Sequence, residues 1–345
     1  MEALVNGLAD LCGMRDRHAL DAALVRLVHL AGADKFQTVR LVKLLGGADD
    51  LRCLLRAEYS GTRHDVMMQA PWKDWQELPP LALYPQRLEV HSTNLMSVGS
   101  GQVVTTVLPV GSLHPVVALL EVESASALDA STVRTIEGIA RIYQNFEGLL
   151  DYGEKDALTE LLNRKSFDTV FAKAASAQAK ATDPTQPERR NVDAADSYWL
   201  AVLDIDFFKR VNDNFGHLIG DEVLLLMARL MRANFRFHDQ LYRFGGEEFV
   251  ILMRCADQAD AAGALERFRR TVEENVFPQV GTITVSMGFT ALRADDTPGG
   301  AFDRADKAVY FAKEHGRNQV RSYEQLVAAG ELVEDAPDDQ EADFF

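Results

Sequence analysis

Two acidic pairs, and a set of amides and cations near them, are the part of this sequence equipped for chemistry. Asp204-Ile205-Asp206 closes a continuous apolar run, Tyr198 to Ile205, the pattern of a buried central strand that delivers carboxylates at its C-terminal end. Carboxylates placed there can hold a divalent cation. Further along, Gly245-Gly246-Glu247-Glu248 lies between two short strand patterns, Leu241 to Phe244 and Phe249 to Met253. This predicts a hairpin whose glycines permit φ > 0 and close approach of a ligand to the backbone. With the hairpin beside the first strand, Asp204 and Glu247 converge on Mg²⁺, which takes hard oxygen ligands and keeps positions open for substrate phosphates. Such an ion lowers the pKa of a nucleophile and neutralises charge on a phosphoryl group in transfer.

Phe207 to Asp221 reads as a short helix, a turn and the start of a second helix. Asn212 and Asp221 offer an amide and a carboxylate that suit a guanine edge, whose N1–H and N2–H₂ donors need an acceptor. Lys209 can approach phosphate oxygens. Lys313 and Arg317 are four apart on a predicted helix and so share a face. Taken singly these features say little: an Asp-x-Asp strand end is more often incidental than metal-binding, a Gly-Gly turn is usually only a turn, and paired cations on a helix are usually a solvated face. Their combination at these separations is what carries information.

A chain of 345 residues is too long for one ordinary core and fits two domains joined by a connector. Residues 1–129 alternate helical and strand patterns and form an α/β or α+β module, with an amphipathic stretch from Leu20 to Leu30. Strand patterns follow at Phe36 to Leu45, Arg52 to Glu58, Val103 to Val110 and Pro115 to Glu123; the short turn between the last two predicts antiparallel pairing. Residues 130–155 lack proline, and Ile136, Ile139, Tyr143, Phe146 and Leu150 recur as a short a/d seam. The seam serves either packing on its own domain or a parallel dimer helix, and its ending where the chemical motifs begin favours the dimer. Ala174 to Ser197, rich in Ala, Asp, Gln and Pro without periodicity, predicts a loop. Residues 329–345 form an acidic, solvated tail.

Arg243-Phe244-Gly245-Gly246-Glu247-Glu248-Phe249 resembles the signature of the GGDEF diguanylate cyclases in its GGEEF variant. Asp204 to Lys209, Asn212-Asp213, Gly216-His217 and Gly220-Asp221 are similar to the family's second motif. Asp156-Ala157-Leu158-Thr159, Leu162-Asn163-Arg164, Thr284 to Gly288 and Ala305 to Tyr310 agree as well. The resemblance runs from about Asp156 to Tyr323, about half the chain, and implies a domain over residues 156–328 with an α/β (α+β) fold and a palm- or nucleotidyl-cyclase-like βαββαβ core. By the resemblance, Asp204, the Ile205 carbonyl, Glu247 and Glu248 hold Mg²⁺, or Mn²⁺ in its place, and Glu247, Glu248 and Lys209 are catalytic. Asn212 and Asp221 hold guanine; Lys209, Lys313, Arg317 and the amides near Phe207 and Phe208 hold the triphosphate, with Gly245, Gly246 and His217 at the same GTP site. Asp206 orients the loop. The implied reaction joins two GTP into cyclic di-GMP with release of pyrophosphate, across a homodimer in which each domain holds one GTP.

Arg236-Phe237-His238-Asp239, with five residues between Asp239 and Gly245, has the placement of the family's RxxD product-inhibition site. Arg236 and Asp239, joined by Arg267, would bind cyclic di-GMP there. The element order of residues 1–129, helices first and a closing hairpin before a long helix, is similar to a GAF-type sensor, whose signal the sequence does not identify.

Acidic residues outnumber basic ones, 52 to 36, giving a net charge of −16 that repels nucleic-acid backbones and argues against a general DNA or RNA partner. No apolar run approaches the ~18 residues of a membrane span. The start, Met1-Glu2-Ala3-Leu4, lacks the features of a secretory signal, so the expectation is a cytoplasmic chain. Cys12, Cys53 and Cys255 are too widely spaced for a disulfide framework or metal knuckle and are expected to be small buried residues. His18, His29, His64, His91 and His114 show no metal-ligand spacing, and Trp72 and Trp75 suit packing. Two alternatives compete with the cyclase: a receptor that binds cyclic di-GMP without making it, against which the intact acidic and basic site residues argue, and a cyclase for another nucleotide, which Asp221 as a guanine acceptor disfavours.

Overall fold

The computed structural model describes residues 2–32, 35–47, 50–60, 63–68, 77–111, 116–182, 197–236 and 238–334. The chain divides into two compact units, residues 1–153 and 154–345. No described helix is long and apolar enough to cross a membrane. Trp72, Trp75, His114 and most of the acidic tail lie outside the described residues.

The first unit runs α1 (Glu2–Gly13), α2 (Arg17–Ala31), β1 (Phe36–Leu45), β2 (Arg52–Ser60), β3 (Arg63–Met68), α3 (Pro85–Thr93), β4 (Ser97–Val98), β5 (Val104–Pro109), β6 (Ala118–Ser124) and α4 (Ala130–Glu154). Asp16 starts α2 by accepting the Ala19 N–H at 3.1 Å, satisfying one of the donors a helix start leaves open. The strands form an antiparallel sheet in the order β3-β2-β1-β6-β5-β4, and β5 and β6 pair as the hairpin expected from the sequence. Alternation along the strands gives the sheet two apolar faces. Leu120 and Val122 pack with Leu24 and Val28 of α2, whereas Leu119 packs with Val42, Val107 and Val90. Cys53 is buried, but Cys12 and Cys255 are only half-buried, because each lies near an element end rather than mid-strand.

The α4 seam belongs to this unit's own core. Ile136, Ile139 and Tyr143 are buried there, and Phe146 and Leu150 pack against it. The Tyr143 hydroxyl donates to Asp21 of α2 at 2.6 Å, and Arg56 holds the other Asp21 oxygen at 2.8 Å. An apolar stripe used to cover the sheet is not available to a second chain, so the parallel-dimer reading of these five residues is replaced. The exposed apolar side chains of α4 are Leu149 and Tyr152.

The second unit comprises β7 (Leu162–Asn163), α5 (Arg164–Thr182), β8 (Ser197–Ile205), α6 (Phe208–Phe215), α7 (His217–Asn234), β9 (Gln240–Gly245), β10 (Glu248–Cys255), α8 (Gln258–Glu274), β11 (Val276–Phe277), β12 (Gly281–Thr282), β13 (Val285–Ala291), α9 (Pro298–Glu314), β14 (Val320–Ser322) and α10 (Tyr323–Ala328). The main sheet has the order β14-β13-β8-β10-β9-β7, with β8 antiparallel to both β10 and β13. All of β8 after Ser197 is buried, because both faces are covered. Leu203, Ile205 and Met287 face Met227 of α7 and Phe268 of α8. The other face takes α9, and a Cβ at Gly288 would lie 2.2 Å from the Ala305 carbonyl, so only glycine lets the helix backbone come this close to the strand. Residues 174–182, expected as loop, continue α5, since their alanines favour helix and Ala174 is buried.

Candidate active site

Pairing of β8 with β10 sets Glu248 opposite Asp204, and pairing with β13 sets Ser286 opposite Asp204 on the other side. The hairpin between β9 and β10 turns through Gly245 (φ 150°) and Gly246 (φ 50°), the second a left-handed position that favours glycine. A register irregularity follows between Glu248 and Phe249, displacing the two glutamates from regular pairing. Arg243 fixes this turn from below: its Nη2 donates to the Gly246 carbonyl at 2.9 Å and its Nη1 to Asp156 at 3.0 Å. Asp156 also accepts from the backbone and hydroxyl of Thr159, so the start of the unit anchors the hairpin.

The acids crowd one another. Burial pushes the Asp204 carboxyl up, Lys313 opposes the shift, and Asp206 and Asp306 add to it. Glu247 and Glu248 are also raised, first by partial loss of water and then by Asp204. The main counterion is Lys313, whose Nζ lies 2.8 Å from Asp204 Oδ2. Among the described residues no three carboxylate, imidazole or thiol side chains converge on one point. The oxygens therefore do not make a self-sufficient cage; they fit an ion such as Mg²⁺ that takes one or two carboxylates and completes its shell from substrate phosphates and water.

Beyond Asp204 the chain turns sharply. Phe207 adopts a left-handed conformation (φ 59°) at the start of α6, uncommon for a bulky side chain, and leaves its ring half exposed. The guanidinium groups of Arg210 and Arg317 each lie 4.5 Å from the centre of that ring. At the start of α6 the Arg210 N–H already donates to the Phe207 carbonyl at 2.8 Å, the Phe208 and Lys209 amides precede the first such bond, and the Lys209 side chain is exposed beside them. Asn212 on α6 sits over Gly220 of α7, so close that a Cβ on Gly220 would be 2.0 Å from Asn212 Oδ1. Asp221 follows immediately and is exposed, as is His217 at the first position of α7.

Arg317 is not on α9. The helix ends at Glu314, and Gly316 (φ 108°), Arg317 (φ 62°) and Asn318 (φ 45°) form a left-handed turn. The Arg317 N–H returns to the Ala312 carbonyl at 2.9 Å, a Schellman ending. The shared helical face expected for Lys313 and Arg317 is thus replaced by a turn, which nevertheless brings Arg317 to Phe207 while Lys313 reaches Asp204.

Asp206 is 6% exposed and accepts from Thr284 Oγ1 at 2.7 Å, Ser286 Oγ at 2.7 Å and the Asn318 N–H at 3.0 Å. It binds protein groups and orients the turn. Sequence reasoning gave no role to Thr284, Ser286, Asn318 or Asp306; the one available signal was hydroxyls on an otherwise apolar strand, which need buried partners.

The Arg236 and Asp239 pair lies at the β9 approach. Asp239 Oδ2 accepts the Arg236 N–H at 2.8 Å, and Oδ1 stands 3.8 Å from His238 Nε2. Burial pushes the Asp239 carboxyl up to about 6, against the pull of the Arg236 N–H and of Arg267. The Arg236 and Arg267 side chains are exposed, and Arg267 donates to the Asn234 carbonyl at 3.4 Å.

Residues 154–319 match the family described as "Diguanylate cyclase, GGDEF domain". The diguanylate cyclase DgcP of Pseudomonas aeruginosa is 44% identical over 135 residues, 38% of this chain and 20% of that protein. The response regulator PleD of Caulobacter vibrioides is 36% identical over 182 residues, 51% of this chain and 37% of that protein. The chain thus spans well under half the length of these two relatives. A solved GGDEF domain of DgcB from Caulobacter crescentus, in complex with c-di-GMP, is 32% identical, with a TM-score of 0.44 over 50% of this chain and 96% of that one.

Proposed function

Residues 154–319 are a GGDEF domain, and from that premise we propose that this protein is a diguanylate cyclase that condenses two GTP into cyclic di-GMP and two pyrophosphates. The observation that carries the reading is the facing pair Asp204 and Glu248 with Glu247 beside them, within reach of Lys313. Asp221 accepts from guanine N1–H and N2–H₂, and Asn212 supplies the neighbouring amide. Lys209, Lys313, Arg317 and the amides near Phe207 and Phe208 hold the triphosphate, with Gly245 and Gly246 permitting its close approach. A bound Mg²⁺ or Mn²⁺, held by Asp204, the Ile205 carbonyl and Glu247, would withdraw charge from the reacting phosphate and shift Lys313 from Asp204 toward the phosphates.

Each domain holds one GTP, so two copies face each other. The 3′-oxygen of one nucleotide bonds to the α-phosphorus of the other, the bond from that phosphorus to the bridging oxygen breaks, and pyrophosphate leaves; the second closure repeats the step. Glu248, facing Asp204 across the β8–β10 pairing, is placed to take the 3′-hydroxyl proton. The exposed Leu149 and Tyr152 of α4 support pairing of two chains through the end of that helix. Arg236, Asp239 and Arg267 form a product site for feedback inhibition. The first unit, with helices preceding an antiparallel sheet and a long helix closing it, is a GAF-like sensing domain.

The test is purified protein with GTP and Mg²⁺, read by chromatography for cyclic di-GMP, beside Glu247→Gln. Product that disappears in the variant supports the reading. A folded dimer that binds GTP and cyclic di-GMP but forms no product refutes it in favour of a receptor.

A further inference from the structure

Two consecutive non-glycine residues in the left-handed region, Arg317 and Asn318, are costly and persist only where their surroundings over-determine them. Here the surroundings are specific. Gln319 Nε2 donates to the Ala312 and His315 carbonyls at 2.7 and 2.9 Å, closing the end of α9. Asn318 is gripped from three directions: its N–H donates to Asp206 at 3.0 Å, its Nδ2 donates to Glu273 of α8 at 2.7 Å, and its Oδ1 accepts from Arg269 of α8 at 2.6 Å. Arg269 is itself fixed by Glu266 and Glu273, each at 2.8 Å, and Asp206 by the two hydroxyls of Thr284 and Ser286. Together these groups fix the backbone on which Arg317 stands.

We propose that Asn318 is a positioning residue of the substrate site: clamped between Asp206 and the Arg269–Glu273 pair, it holds the turn that sets Arg317 beside Phe207 and against the triphosphate. The inference rests on the reading of Arg317 as a phosphate ligand. It assigns α8, on the far side of the turn, a part in substrate affinity. It also explains why Asp206, so close to the metal-holding Asp204, spends its oxygens on protein donors.

The test compares two ligands on the full-length protein by titration calorimetry: an α,β-methylene analogue of GTP, which cannot react at the α-phosphate, and GMP, which lacks the outer phosphates. Asn318→Ala and Arg317→Ala each weaken the analogue roughly tenfold, the loss of one charge-assisted contact, and the double variant is no weaker than Arg317→Ala alone. GMP affinity stays unchanged in all three. Losses that multiply in the double variant, or an equal loss for GMP, overturn the proposal. Arg317→Ala without effect on the analogue removes the phosphate role itself, and the positioning role with it. Glu273→Ala on half-exposed α8 removes one grip without touching the core and weakens the analogue by a smaller factor; if Asn318→Ala does not fold, unchanged affinity in Glu273→Ala overturns the proposal.

Discussion

Replacing Gly220 with alanine should separate stability from substrate affinity. Gly220 is the fourth residue of α7, where glycine is about 1 kcal/mol less favourable than alanine in a helix. The new Cβ would stand 2.0 Å from Asn212 Oδ1 and 3.1 Å from its Cγ, against about 3.4 Å for ordinary contact. The Asn212 amide is the far end of a flexible side chain, so it must swing away by more than 1 Å while the helix remains. Loss of one hydrogen bond to guanine costs about 1 kcal/mol, roughly a fivefold to tenfold rise in KM for GTP. The gain in helix propensity keeps the melting temperature at or a few degrees above the parent value. The assay is differential scanning calorimetry of the purified chain together with GTP titration of cyclic di-GMP formation. An unchanged KM in a folded variant would refute the placement of Asn212 at the guanine; a lowered melting temperature would show that the backbone, not Asn212, absorbs the overlap.

Arg243→Ala releases the Gly246 carbonyl and Asp156 together and should lower kcat/KM at least roughly tenfold, with Asp156→Asn having a smaller effect in the same direction; normal steady-state kinetics in Arg243→Ala would rule out a role in holding the hairpin. Product inhibition should weaken as the pH falls, because Asp239, with its carboxyl pushed up to about 6, loses its acceptor character on protonation. The cyclic di-GMP concentration for half-inhibition should rise about tenfold at one unit below that value and stay level above it, and Asp239→Asn should flatten the profile; parallel curves for the two proteins would exclude Asp239 as the titrating group. Tyr143→Phe deprives buried Asp21 of a 2.6 Å donor and should destabilise the first unit by about 1–2 kcal/mol in urea denaturation, whereas an unchanged midpoint would mean the hydroxyl is not needed there.

The β8 run, its terminal acids and the glycine hairpin were legible because each is written in consecutive residues. A strand buried on both faces needs an uninterrupted apolar stretch, and a tight turn through a left-handed position needs glycine. In the N-terminal unit β1, β2, β5 and β6 were legible for the same reason, alternation along a strand being a local property, whereas β3 and the two-residue β4 were not read. The α4 seam shows where this stops. Its spacing fixed which side is apolar, but whether the sheet or another chain covers that side depends on Leu24, Val28 and Asp21, more than a hundred residues away in sequence. Arg317 is the same lesson at the site. Its four-residue spacing from Lys313 suggested a shared helical face, yet Gly316 ends the helix and the turn is held by Asp206 and Glu273. The sequence by itself determined the buried strand with its terminal acids and the glycine hairpin that pairs beside it. Only the tertiary structure decided how the outlying cation reaches the site and which face the connecting helix spends, because hydrogen bonds and burial between distant segments outweigh local periodicity once the chain has folded.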